Sequence, residues 1–195
     1  MPEQAGTVGA IVLGAGRSSR FGDRNKLLAP VDGTPMVARV VQVAAESAAD
    51  DVVAVLGHES ARVAEVLADY PVSLLTNDAY AAGQSTSVRC GIEFALTADW
   101  DAAVILLGDM PYVGPETVNQ LITAYRDAAG PIVVPRYDGQ RGNPVVFDRS
   151  QFEAVLQVGG DSGARELVRR HPDTAWIDVD DPAVRDDIDT VDDVR

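Results

Sequence analysis

Six short apolar runs punctuate the chain: Val8–Leu13, Asp51–Leu56, Val72–Thr76, Ala102–Leu107, Ile132–Pro135 and Pro144–Phe147. Their β-branched content predicts strands, and the unbroken Ala102–Leu107 run reads as a central strand covered on both faces. Between them the apolar residues fall at helical spacing. In 35–49, Val37, Val40, Val41 and Ala44 share one stripe behind Pro35, a first-turn residue, and Val63, Val66 and Leu67 do the same in 60–68. Further helices are predicted over 87–96, 115–128, 150–156 and 162–170, with an aperiodic loop over 77–84. Strand and helix in alternation predict βαβ units around a mostly parallel sheet, in one domain spanning 1–195. Beyond Leu107 the alternation is less regular, which suits substrate-binding insertions on the same sheet.

Composition narrows the partners. Thirty acidic against sixteen basic residues give a formal charge of −14, which repels nucleic acid and anionic lipid. Any phosphate site must therefore gather its cations locally. Cys90 is the single cysteine, so no intrachain disulfide is available. The first eight residues lack the features of a signal peptide, and the longest apolar run is far short of a membrane span. The expectation is a cytoplasmic protein without nucleic-acid or membrane partners.

The local concentration of cations is easy to find. Fifteen arginines are scattered along the chain, but Lys26 is its only lysine. It closes the segment Leu13-Gly14-Ala15-Gly16-Arg17-Ser18-Ser19-Arg20-Phe21-Gly22-Asp23-Arg24-Asn25-Lys26, directly after the first predicted strand. Glycines let backbone N–H groups approach an anion, and cations then neutralise it, so the segment reads as a triphosphate loop. It is neither a dinucleotide fingerprint, because Ser19 stands at the third glycine, nor a Walker A loop, because Gly16, Gly22 and Lys26 are wrongly spaced. Asp109 follows the central strand in Gly108-Asp109-Met110-Pro111, where it would project into the crevice at the strand's carboxyl end and suit Mg²⁺.

Leu13, Ala15, Gly16, Ser18, Arg20, Phe21, Gly22 and Lys26 resemble the signature loop of the nucleotidyltransferases that include the molybdenum-cofactor guanylyl- and cytidylyltransferases, with one extra residue between Gly22 and Lys26. That resemblance implies a Rossmann-like three-layer α/β sandwich of the nucleotide-diphospho-sugar transferase type. It implies that Leu13, Gly14, Ala15, Gly16, Arg17 and Lys26 hold the nucleotide, with Arg17 and Lys26 on the phosphates. Asp109 becomes a metal ligand, and Asp189, in Ile188-Asp189-Thr190, becomes its partner. The Gly83-to-Gly91 stretch resembles the cytidylyl branch, with Gln84 in place of a methionine, so Asn77, Gly83, Ser85 and Thr86 are expected at the base and CTP is favoured over GTP. Ser85 or Thr86 is also a candidate cap for the following helix. Arg141, Asn143 and Pro144, and Asp161 and Gly163 in a glycine-rich turn before a helix, resemble the family's acceptor segments.

The implied reaction is Mg²⁺-dependent transfer of CMP to the phosphate of molybdopterin with loss of pyrophosphate, and contact with a molybdoenzyme or its chaperone. Catalysis would fall to Arg17, Lys26 and Asp109. A guanylyl version and a sugar- or polyol-phosphate acceptor stay open, as does a different class, a nucleotide-cofactor oxidoreductase or a nucleotide-sensing module on the same fold. His58 and His171 lack metal-ligand spacing, Cys90 reads as a helix residue, and Trp100 and Trp176 read as packing.

Overall fold

The computed structural model describes residues 6–16, 21, 25–157, 159, 164–190 and 193. Arg17, Arg20, Asp161 and Gly163 lie outside them.

The chain forms strands β1 (Val8–Gly14), β2 (Pro30–Val31), β3 (Thr34–Pro35), β4 (Asp51–Leu56), β5 (Ser73–Thr76), β6 (Ala102–Leu107), β7 (Ile132–Tyr137), β8 (Gln140–Arg141), β9 (Val145–Asp148) and β10 (Thr174–Asp178). The helices are α1 (Met36–Glu46), α2 (Ser60–Leu67), α3 (Gln84–Thr97), α4 (Pro115–Arg126), α5 (Phe152–Leu156) and α6 (Arg165–Arg170). The main sheet runs β10-β7-β9-β6-β1-β4-β5, with β8 paired to β7. Neighbours in the β6-β1-β4-β5 half are parallel; β9 enters antiparallel between β6 and β7, and β10 pairs with β7 in parallel. β2 and β3 form a separate hairpin.

The side-chain period of two in a strand divides β1 between two cores. Val8, Ala10 and Val12 point to one side, packed with Val37 and Val41 of α1, Val63 of α2 and Leu121 of α4. Ile11 and Leu13 point to the other, packed with Val88 and Ile92 of α3, Phe152 of α5 and Val168 of α6. Helices thus cover both faces, which gives the expected three-layer mostly parallel α/β sandwich. No helix of the described residues is long and apolar enough to cross a membrane.

Three features depart from the sequence pattern. Trp100 is buried as expected, but Trp176 is 41% exposed on edge strand β10. The loop over 77–84 contains a 3-10 turn, Tyr80–Ala82. Helix α3 starts at Gln84, and neither Ser85 nor Thr86 caps it; Gly83 occupies that position with φ 121° and no side-chain cap.

After β10 the chain returns across the sheet's carboxyl edge. The 3-10 turn Pro182–Arg185 docks through buried Val184, whose carbonyl accepts from Asn143 N at 2.8 Å. Ile188 then inserts into a small core with Phe21, Val31 and Met36, and its N–H donates to the Asp109 carbonyl at 2.9 Å. Ile188→Ala should cost about 2–3 kcal/mol by opening this core. Urea unfolding of parent and variant checks it; a loss below about 0.5 kcal/mol would mean that the segment is not anchored through Ile188.

Candidate active site

Buried Asn25 prepares the position of Lys26. Its Oδ1 accepts from Leu27 N at 3.1 Å, capping the 3-10 turn Lys26–Leu28, while its amide donates to the His58 carbonyl at 3.3 Å. Leu27 anchors that turn in the core. Asp109 is placed by the close approach of two strand ends. Gly108 N donates to Leu13 O at 3.0 Å, and a Cβ on Gly108 would stand 2.7 Å from that same oxygen. Only glycine lets the exit of β6 lie this tightly against the exit of β1. Asp189 follows anchored Ile188, and its N–H, with the N–H and hydroxyl of Thr190, donates to Asp193 Oδ2 at 2.7–3.1 Å. Those bonds, the Thr190 contacts foremost, hold the Asp193 carboxyl below the usual carboxylate range.

These three placements converge. Lys26 Nζ, largely buried, donates to Asp109 Oδ2 at 2.8 Å, to the Ile188 carbonyl at 3.1 Å and to Asp189 Oδ1 at 3.4 Å. Asp187 joins them: carboxylate oxygens of Asp109, Asp187 and Asp189 all lie within 4.8 Å of one another. Sequence reasoning paired Asp109 with Asp189 but passed over Asp187, which stood among many tail aspartates with no periodicity to single it out. Three hard oxygen donors suit Mg²⁺ or Mn²⁺. The ammonium already standing among them shows that the position is built for positive charge.

A cleft of about 380 Å³ opens beside this group, lined by Leu13, Ala15, Gly16, Lys26, Tyr80, Gly83, Gln84, Ser87 and Asp109 among others. Of the residues singled out from sequence, Leu13, Ala15, Gly16, Gly83, Lys26 and Asp109 are brought together in this one cleft. Gly14 does not line the cleft; a Cβ there would meet Val37 and Leu56. Asn77, Ser85 and Thr86 also stand outside the lining; Ser85 is buried, and Asn77 and Thr86 brace the loop from one layer behind. The Asn77 amide donates to Thr86 Oγ1 at 2.8 Å and Ser87 Oγ at 3.0 Å, and Thr86 Oγ1 donates to Gly83 O at 2.8 Å. Ser87 accepts from Asn77 and so keeps its own proton to offer into the cleft. Ser87 lies within the matched Gly83-to-Gly91 stretch but was not among the residues expected at the base, and a ring in a polar loop, as at Tyr80, carries no mark of which way it faces.

A second cleft, of about 320 Å³, adjoins the first at Leu107 and is lined by Arg141, Asn143, Arg165, Arg185 and Asp187 among others. Pro144 follows Asn143 through a cis peptide and lines a small apolar recess behind it. Burial lowers the Arg141 pKa, and the charge of neighbouring Arg165 lowers it further.

Comparison with known proteins agrees with this geometry. A sequence family described as the MobA-like NTP transferase domain matches residues 10–175. The purine catabolism protein PucB of Bacillus subtilis is 30% identical over 189 residues, covering 92% of this chain and 90% of PucB. The bifunctional protein GlmU of Geotalea daltonii is 34% identical over 116 residues, 59% of this chain; that match spans only 25% of GlmU. The crystal structure of Rv0371c from Mycobacterium tuberculosis superposes with a TM-score of 0.82 at 31% identity, covering 97% of this chain and 96% of the other. A manganese complex of Rv0371c superposes with a TM-score of 0.78 at 29% identity, over 96% and 95% of the two chains.

Removing the ammonium tests the charge balance. In metal-free solution Lys26→Met should lower stability by about 1–3 kcal/mol, because the carboxylates lose their counterion. Added Mn²⁺ should then raise the Tm of the variant more than that of the parent. Equal Tm values and equal Mn²⁺ responses would mean that Lys26 and a cation do not share this position.

Proposed function

The chain belongs to the MobA-like NTP transferase family and is a nucleotidyltransferase, and from that premise we propose that it transfers CMP from CTP to the phosphate of molybdopterin. The observation that carries this reading is the meeting of Lys26 with Asp109, Asp187 and Asp189 at the junction of the two clefts. We assign the carboxylates a divalent cation, Mg²⁺, a choice supported by their oxygen donors and by the manganese complex of the Mycobacterium tuberculosis relative. When bound there, the cation supplies charge neutralisation at the phosphate undergoing transfer.

The protein's own residues do the rest by holding and orienting. The backbone at Ala15 and Gly16 borders the triphosphate, and Lys26 would neutralise it together with Arg17. Gly83 and Gln84 with the Ser87 hydroxyl border the base. Their place in the cleft supports CTP through the likeness of this stretch to the cytidylyl branch, with Asn77, Ser85 and Thr86 shaping the loop from behind. Arg141 and Asn143 face the acceptor; Asp161 and Gly163 keep that role from their motif alone. We place this reaction in the cytoplasm, with delivery to a molybdoenzyme or its chaperone.

A second reading keeps the same transfer with a sugar or polyol phosphate as acceptor. It is favoured by the lining of the second cleft, where the described residues include several cations and no aromatic ring on which a pterin would stack.

The test is pyrophosphate release with Mg²⁺, each nucleoside triphosphate in turn, and molybdopterin or a sugar phosphate as acceptor. CTP with molybdopterin should give the highest kcat/KM, and Lys26→Ala should lower it about a hundredfold, the worth of one preorganised charge contact. Turnover with GTP alone, or with sugar phosphate alone, would replace the corresponding half of the proposal. A Lys26→Ala rate within about twofold of the parent would remove that residue from the chemistry.

A further inference from the structure

In a chain this acidic, an arginine easily finds a carboxylate. Seven of the eleven described arginines form ion pairs, from Arg39 with Asp32 to Arg170 with Glu166. Among the described residues Arg89, Arg141, Arg165 and Arg185 form none, and the last three all line the second cleft. Arg141 Nε is fully buried and has no hydrogen-bond partner. A guanidinium stays charged at every physiological pH, so a buried donor without a partner costs free energy until something accepts from it. The adjacent Arg165 charge adds repulsion, which an anion between the two would turn into attraction.

The arrangement is held in place by packing. Arg185 ends the turn whose Val184 packs against Gly142, and a Cβ on Gly142 would come within 2.6 Å of that valine. Arg165 opens α6, fixed by buried Val168. Asp187 lines the same cleft and belongs to the carboxylate group, so the cleft opens onto the reacting centre.

We propose that Arg141, Arg165 and Arg185 form an anion subsite that binds a phosphate monoester dianion of the acceptor, and that Arg165 and Arg185 set the preference for that charge. This rests on the transfer reaction above and adds to it two specificity-determining residues. An acceptor dianion attacks through an oxygen that carries no proton. Its oxygen bonds to the α-phosphorus, the bond from that phosphorus to the bridging oxygen breaks, and the bridging oxygen leaves with the electron pair on pyrophosphate. A dianion and a triphosphate tetraanion give a dianionic diphosphate-linked product and a pyrophosphate tetraanion, so no proton moves and no protein base is needed.

Titration of methyl phosphate and of dimethyl phosphate into the full chain, followed by ³¹P NMR, reads the subsite without turnover. It is run with and without Mg²⁺ and a CTP analogue bearing a methylene α,β-bridge. Methyl phosphate should saturate the protein, dimethyl phosphate should not, and the affinity for methyl phosphate should rise once the analogue is bound. Arg165→Gln and Arg185→Gln, both exposed and so tolerated by the fold, should each weaken methyl phosphate about tenfold while analogue binding stays within about twofold. Equal binding of the two esters, or parent-like affinity in both variants, would overturn the subsite. A methyl phosphate affinity indifferent to a bound analogue would make the cleft a site for free phosphate and overturn the acceptor assignment. If the analogue fails to bind while methyl phosphate still follows the two arginines, the CTP reading falls and the anion subsite stands.

Discussion

Like charges cannot be brought together without a counterion, and that constraint organises this molecule. Asp109 leaves the central strand, while Asp187 and Asp189 arrive about eighty residues later on a segment that crosses the same sheet edge. The ammonium of Lys26, itself 83 residues before Asp109, lets them meet. Its third contact, to the Ile188 carbonyl, ties that segment to the loop after β1. Charge balance among the carboxylates and the path of the crossing segment therefore depend on the same group.

The distribution of charge follows from the same constraint. The surface as a whole is anionic, and most described arginines are neutralised by carboxylates where they stand. Among the described residues, three of the four arginines without an ion pair, Arg141, Arg165 and Arg185, line the second cleft, while Lys26, held by its carboxylates, lines the first. Leu107 and the carboxylates lie at the boundary between them.

The buried half of the fold was plain in the sequence because its signal is local. β4 and β6 begin and end where the apolar runs do, and α1, α2 and α4 lie inside their predicted ranges, since burial on one or both faces leaves an unambiguous period. β10 escaped notice because it is an edge strand, with Trp176 and Asp178 turned to solvent, and the β2–β3 hairpin is too short to show a period. The site divides in the same way. Lys26, Asp109 and Asp189 were legible because each sits in a motif next to a strand end or an anchored residue. Asp187, Arg165 and Arg185 were not, because their relevance comes from elements that converge only in three dimensions. The hydroxyls near the start of α3 divide differently: capping logic promoted Ser85 and Thr86, but Gly83 holds the cap position, and of the three hydroxyls only Ser87 is among the residues lining the cleft.

The crossing segment also joins the candidate metal centre to assembly. Asp109 follows β6, but Asp187 and Asp189 come after β10, whose partner in the sheet is β7. A folding chain therefore holds one carboxylate of the three until β10 is seated and the segment behind it has crossed the sheet edge.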